Sequence, residues 1–377
     1  NKEDWLTGSK AAAAGGITTV IDMPNNQPPI LTKKDLRKKR KIVQRKSVVN
    51  YGFHFGSSKT NIKEIKKVEN VSGTKVFMNL STGKMLIDDD SILKEIWRNS
   101  RMVIVHAEGE MVKKAVQLTK KIQRDLYLCH ISTKREIDYI RRHKNQNIFV
   151  EVTPHHLFLT KKDSNSFIKM KPSLKNKSDQ KALWQAVRDG LVDVISTDHA
   201  PHTKKEKFQK NSPFGVPGEE TMLPLLLDAY NKKKISLKKI VQLTSENPAK
   251  IFAIKNKGQI KIGNDADLTV IDLKCKRKIN QKKLFTKCGW SPFSGWKLKG
   301  WPVMTIVQGK IVFDKGKVFD KLKGKEIKFI MKKQPNLSIE IGGIKWQNPV
   351  TTASGTYGCL LYTSDAADEL DGVDLGG

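Results

Sequence analysis

Strands alternating with helices along the first two-thirds of the 377-residue chain predict an α/β protein with a parallel sheet and a smaller β-rich unit after it. Three observations carry this. Seven short apolar, β-branched runs are separated by stretches of helical period, most of them stop abruptly at polar or ionisable residues, and from Lys257 onward the pattern changes to short strands and turns. The core is either a barrel short of one strand or an open doubly wound sheet.

Residues 1–16 contain no Met, and the stretch from Trp5 to Ala14 reads as a helix already in progress, so the chain is expected to begin inside a longer protein. Residues 17–23 (ITTVIDM) form a buried strand ended by Pro24-Asn25-Asn26. A helix over 33–45 leads to a second strand at 47–55. Further strands follow at 74–78, 102–106, 126–130, 148–153 and 192–197, with helices at 111–120, 134–142 and 179–189 between them. After a glycine-containing loop, 214–220, helices are expected at 223–230 and 237–244. Strands at 304–307 and 310–313 flank Gln308-Gly309 in the β-rich part. No G-x-G-x-x-G or G-x-x-x-x-G-K-[ST] follows any strand, which disfavours a nucleotide-binding sheet.

Hydrophobic residues at 38 % and charged residues at 29 % describe a soluble globular chain. No apolar run approaches the roughly 20 residues that cross a bilayer, and the default location is the cytoplasm. The net charge of +32 raises the question of nucleic acid or a membrane surface. The lysines are scattered as pairs and triplets, however, and no basic helix carries interleaved aromatics. A lysine-rich solvated surface is expected, with a weak anion-binding role as the alternative, and neither nucleic acid nor membrane as partner. Cys129, Cys275, Cys288 and Cys359 lie far apart without C-x-x-C spacing, so neither a disulfide frame nor a thiolate metal site is indicated.

Four predicted strands carry a group of interest within or at their ends: Lys75, His106, His130 and Asp198, the last in Ser196-Thr-Asp198-His199-Ala-Pro-His202. In a parallel barrel all C-terminal strand ends meet on one face, so these distant positions become neighbours. A single histidine ending a strand is more often a packing residue, and an aspartate there is as readily a cap of the strand end as a site residue. Two imidazoles on consecutive strands with a carboxylate on a third suit a divalent ion. Lys75 joins such a set only if CO2 converts it to an anionic carbamate. Taken alone it is an ordinary strand lysine.

Thr74-Lys75-Val-Phe-Met, Val105-His106-Ala-Glu, Cys129-His130-Ile-Ser-Thr, Thr153-Pro-His-His-Leu and Ser196-Thr-Asp198-His-Ala-Pro-His202 follow in the order of the cyclic amidohydrolases, and over roughly residues 2–329 the chain resembles that family. Met23-Pro-Asn25, Asn79 with Thr82-Gly83-Lys84-Met85-Leu86, and Lys287-Cys-Gly-Trp-Ser-Pro-Phe resemble its dihydroorotase branch rather than allantoinases or dihydropyrimidinases. The resemblance implies a TIM-like (β/α)8 metallo-dependent hydrolase barrel lacking its first strand over 1–256, and a small β-rich subdomain over 257–330. It implies two divalent ions, zinc in kind, bridged by carbamylated Lys75. His106 and His130 hold one ion, and Asp198 binds the other and moves the proton. Asn25 and His202 grip the substrate carboxylate, with Pro217 and Gly218 lending backbone contacts. His155, His156 and His199 are expected to serve structural hydrogen bonding. The implied reaction is the reversible hydrolysis of L-dihydroorotate to N-carbamoyl-L-aspartate in de novo pyrimidine (UMP) biosynthesis, by a metal-bound hydroxide. The partner is a small anionic substrate, and self-association is left open.

Two features depart from the family. Its first strand ends in His-x-His followed by an arginine, none of which occurs here, so the polypeptide as given is expected to hold less than the full metal pair and to be inactive. Lys171 stands where the family usually has a substrate-contacting asparagine. Within the same class an allantoinase or dihydropyrimidinase is the alternative, and a non-catalytic scaffold on the same barrel is the alternative of another class. Residues 331–358 resemble the opening of a dihydroorotate dehydrogenase, too short for a flavin barrel, so no flavin is expected. Residues 359–377 resemble a translated sequencing adapter and are expected to be disordered.

Overall fold

A computed structural model describes residues 2–80 and 85–330, together with the backbone of 339–341 and 344–346. Helix α1 (Trp5–Ala14) does not continue an earlier helix, because it has a start of its own: the Asp4 carboxylate accepts from Leu6 N at 2.8 Å and Thr7 N at 3.2 Å. Strand β1 (Thr19–Asp22) follows, then α2 (Lys33–Lys46), β2 (Asn50–Phe53), β3 (Phe55–Gly56) and α3 (Ile62–Lys67). Alternation continues through β4 (Thr74–Phe77), α4 (Asp90–Asn99), β5 (Met102–His106), α5 (Glu110–Ile122), β6 (Asp125–Leu128) and α6 (Lys134–His143). The series ends with β7 (Ile148–Val152), α7 (Pro154–Phe158), α8 (Lys177–Arg188) and β8 (Val194–Ile195).

All these strands pair in parallel, in the order β3-β4-β5-β6-β7-β8, and β1 pairs with β2. Only His54 separates β2 from β3, so the order across the whole array simply follows the chain. A doubly wound sheet would reverse its order at a switch point; this one does not, which makes it a barrel wall. Strands β8 and β1 do not pair with one another, and the barrel is open there. The helices cover the outside through apolar stripes such as Leu93, Ile96 and Trp97 of α4 and Ile137 and Ile140 of α6, all buried in one core with Val103, Val105, Leu126 and Val150.

Helices α9 (Lys204–Lys207), α10 (Met222–Asn231), α11 (Leu237–Val241) and α12 (Asn247–Ile251) lead to an antiparallel sheet. Its strands are β9 (Leu268–Lys278), β10 (Lys297–Val307), β11 (Lys310–Asp314) and β12 (Lys317–Val318), in the order β12-β11-β10-β9. Gln308 and Gly309, at φ of 53° and 74°, make the tight turn between β10 and β11. The sequence led us to expect short strands here, but β9 and β10 extend over 11 residues each because they run on beyond the apolar positions into lysines.

This sheet is not set apart from the barrel at residue 257. Thr305 and Thr269 donate to the carbonyls of Ala13 and Gly16, each at 2.7 Å. The segment after β12 returns to the barrel, where Ile327 and Phe329 pack against Met102, Ile104 and Tyr127. Residues 1–330 therefore form one compact unit, and 331–377 a second. In the second, β13 (Ile339–Ile341) and β14 (Ile344–Trp346) form an antiparallel pair; the remainder of 331–358 and the tail 359–377 lie outside the described residues. Among the described residues no helix is long and apolar enough to cross a membrane.

Candidate active site

Parallel pairing brings the strand-end groups together as the sequence requires. Phe77 of β4 lies in register with His106 of β5, and His130 follows the end of β6. His106 Nδ1 faces His130 Nε2 at 3.0 Å, with the rings edge to face. Burial and the Lys75 ammonium push His106 down to about 3; burial and His106 hold His130 well below the ordinary value. Both imidazoles are neutral at pH 7, the form that ligates cations. Lys75 is buried, donates to Cys129 Sγ at 3.1 Å, lies over the Phe77 ring, and has no carboxylate partner among the described residues. Burial drives the Cys129 thiol up to about 12, so it stays protonated.

His130 at φ 40° and Asp198 at φ 45° both hold the left-handed conformation that non-glycine residues rarely adopt. Such strain persists only where surrounding contacts impose it, and it gathers at functional sites. At His130 the constraint is Glu151, which sequence reasoning did not single out. Its carboxylate accepts from His130 N at 3.0 Å and from the Tyr127 hydroxyl at 2.7 Å. The signal was a lone acid inside the apolar run IFVEV.

Asp198 lies three residues beyond β8. Burial, then the nearby Glu151, push its carboxyl up to about 7, while its side chain keeps 32 % exposure. A carboxyl poised near neutrality beside an opening can both take and give a proton. His155 Nε2 stands 3.8 Å from Asp198 and has no hydrogen-bond partner. His156 has both ring nitrogens engaged, with Thr153 Oγ1 at 2.8 Å and the Pro172 carbonyl at 3.0 Å. His199 Nδ1 accepts from Gly218 N at 3.1 Å, and its Nε2 faces Glu219 at 3.7 Å and Glu3 at 3.8 Å. Burial pushes Glu219 up to about 7. Neither glutamate stood out in the sequence.

The residues expected to grip substrate sit differently from one another. His202 is buried, and both its nitrogens are engaged, Nε2 with the Phe214 carbonyl at 2.9 Å and Nδ1 with Lys2 Nζ at 3.2 Å. A cation therefore already stands at that corner. Pro217 and Gly218 are buried beside His199. A Cβ on Gly218 would come within 2.8 Å of the Thr197 carbonyl, so the loop approaches the Asp198 strand end closely. Asn25 is exposed just after β1, and among the described residues no hydrogen bond of its side chain joins it to the cluster. Lys171 Nζ reaches the Leu80 carbonyl at 3.0 Å and lies over Phe214. Asn79 accepts from Glu108 N at 2.7 Å and so fastens the turn after His106; Thr82, Gly83 and Lys84 lie outside the described residues.

The donor set fits a divalent ion at the histidine pair. Two neutral imidazoles present nitrogens to one another, while His106 Nε2 and His130 Nδ1 are buried without hydrogen-bond partners, the former 3.7 Å from Glu108. Among the described residues no cluster of three or more His, Cys, Asp or Glu is arranged as a complete cation cage.

The amidohydrolase family model matches residues 1–312. The chain belongs to the amidohydrolase family. The dihydroorotase of Pyrococcus furiosus is 37 % identical over 344 residues, covering 86 % of this chain and 80 % of that protein. The dihydroorotase of Bacillus cytotoxicus is 36 % identical over 359 residues, covering 84 % and 83 %. Among solved structures, the L-hydantoinase (dihydropyrimidinase) from Arthrobacter aurescens superposes with a TM-score of 0.82 at 26 % identity, covering 86 % of this chain and 84 % of that one. This amidohydrolase is a metal-dependent cyclic amidase, built on a TIM-like barrel that is open between β8 and β1.

Proposed function

We propose that this site interconverts L-dihydroorotate and N-carbamoyl-L-aspartate, the ring-closing step of de novo pyrimidine synthesis. The observation that carries the proposal is the placement of Asp198 just beyond the end of β8, in the left-handed conformation, 3.8 Å from His155 Nε2 and next to Thr197, whose carbonyl the Gly218 loop closely approaches. The dihydroorotase relatives, at 36–37 % identity over most of the chain, supply the substrate.

When bound, a divalent ion of the zinc type supplies a Lewis acid for the ring carbonyl and lowers the pKa of water. His106 and His130 would hold it. Lys75, buried without a carboxylate partner among the described residues, would become an anionic ligand if its ammonium gives up a proton and the resulting amine adds CO2 and gives up a second, leaving a carbamate. Asp198 takes the proton of the attacking water and delivers it to the ring nitrogen as the C–N bond breaks; water's remaining OH stays on the carbonyl carbon. Lys2, held in place by His202 Nδ1, presents its ammonium to the substrate carboxylate, so His202 acts by positioning that cation. Lys171 adds positive charge on the same side.

The sequence contains no His-x-His pair, so the 377-residue polypeptide is expected to be inactive without one. The test is a chain to which a strand ending in His-x-His is added ahead of Asn1, assayed on dihydroorotate, allantoin and dihydrouracil. Turnover of dihydroorotate, lost by about 100-fold or more in Asp198→Asn, is expected. Preference for dihydrouracil would favour a second reading, supported by the hydantoinase likeness. A folded, metal-loaded chain that turns over none of the three would favour a non-catalytic scaffold.

A further inference from the structure

A second concave site lies between α9 and the antiparallel sheet. It is a cleft of about 930 Å³, a volume typical of small-molecule sites, lined by Lys204, Arg277, Lys278, Lys282 and Lys283 with the backbone of Gly289 and Gly295. Three features set it apart from the lysine-rich surface elsewhere.

The stretch 274–287 contains seven cations and no acid. None of the five lining cations is ion-paired among the described residues, whereas Lys10, Lys144 and Lys257 elsewhere are matched by Asp320, Asp193 and Asp265. Like charges also stand directly opposite each other across the sheet, Lys278 against Lys297 and Lys276 against Lys299. Such pairs destabilise a sheet in isolation and are relieved by a bound anion.

The walls are nevertheless fixed. Ile279 N donates to the Trp296 carbonyl and Gly295 N to the Ile279 carbonyl, each at 2.9 Å, and Lys204 Nζ reaches Gln281 Oε1 at 3.0 Å across the cleft. Arg277 lies over the Trp301 ring. Several cations on a rigid concave backbone, without competing carboxylates, suit a ligand that concentrates charge in a short chain.

We propose that this cleft binds a small polyphosphate-bearing ligand, one per chain. The proposal does not depend on the reaction at the barrel.

The test is titration calorimetry of the full chain with inorganic tripolyphosphate in about 0.15 M salt, where loose surface attraction is screened. Saturable one-to-one binding is expected. The triple variant Lys278→Gln/Lys282→Gln/Lys283→Gln, all exposed positions, should weaken it by about tenfold or more. The variant Lys38→Gln/Lys41→Gln/Arg45→Gln removes the same charge from exposed positions of α2 and should change it less than about twofold. A parallel titration with ATP distinguishes sources: tighter binding than tripolyphosphate marks a nucleotide site, and equal binding marks recognition of the phosphate chain alone. Either result supports the proposal. Absence of saturation, equal loss in both triple variants, or displacement of tripolyphosphate by a lower concentration of single-stranded DNA would overturn it.

Discussion

Lys207 is enclosed completely, and its ammonium donates to three carbonyls, Pro213 at 2.8 Å, Gly215 at 2.9 Å and Lys169 at 3.2 Å. It thereby ties the loop leading to Pro217 and Gly218 to the segment before Lys171. Lys207→Met keeps the length of the side chain and removes only the donors. Stranding three carbonyls costs about 1–3 kcal/mol each. Against this, burial and then Lys169 push the Lys207 ammonium down to about 8 from 10.5. Relief from burying that charge offsets about 3 kcal/mol. At a mid-range cost of about 2 kcal/mol for each carbonyl, the net expectation is a loss of about 3 kcal/mol, read by urea unfolding followed by circular dichroism. The sign with pH is also fixed. Between about 8 and 10.5 the unfolded chain binds the proton and the folded chain does not. The parent thus gains stability from this group as pH rises, and its margin over Lys207→Met widens. A variant within about 0.5 kcal/mol of the parent, or a margin that narrows as pH rises, would refute the reasoning.

Glu151→Gln leaves one of two buried donors, His130 N or the Tyr127 hydroxyl, without a carboxylate oxygen, and should cost about 1–3 kcal/mol. Because Glu151 orients His130, the same variant should weaken metal uptake by about 10–100-fold, measured by competition with a chromogenic chelator. At Gly324 a Cβ would sit 1.9 Å from the Val49 carbonyl, so Gly324→Ala should destabilise the chain by about 2 kcal/mol or more in a thermal melt.

The barrel wall was legible because its strands are buried on both sides, which leaves continuous apolar runs such as MVIVH and LYLCH. Helices Asp90–Asn99 and Ile62–Lys67 were not picked out, although the first buries Leu93, Ile96 and Trp97 at helical spacing. Lys75, His106, His130 and Asp198 were legible because each interrupts an apolar strand or ends one. Glu3, Glu219 and Lys207 were not, since their roles come from tertiary burial rather than local pattern. Lys207 in particular sits in Lys-Lys-Glu-Lys, among exposed lysines of identical appearance. The ties of the antiparallel sheet to Ala13 and Gly16 were not legible because they are long-range in sequence.

The most direct test is zinc stoichiometry of the 377-residue chain by equilibrium dialysis with mass-spectrometric metal analysis. The site assigned here predicts one ion, held by His106 and His130 and lost in His106→Ala/His130→Ala. Two ions per chain, or zinc retained by the double variant, would contradict it.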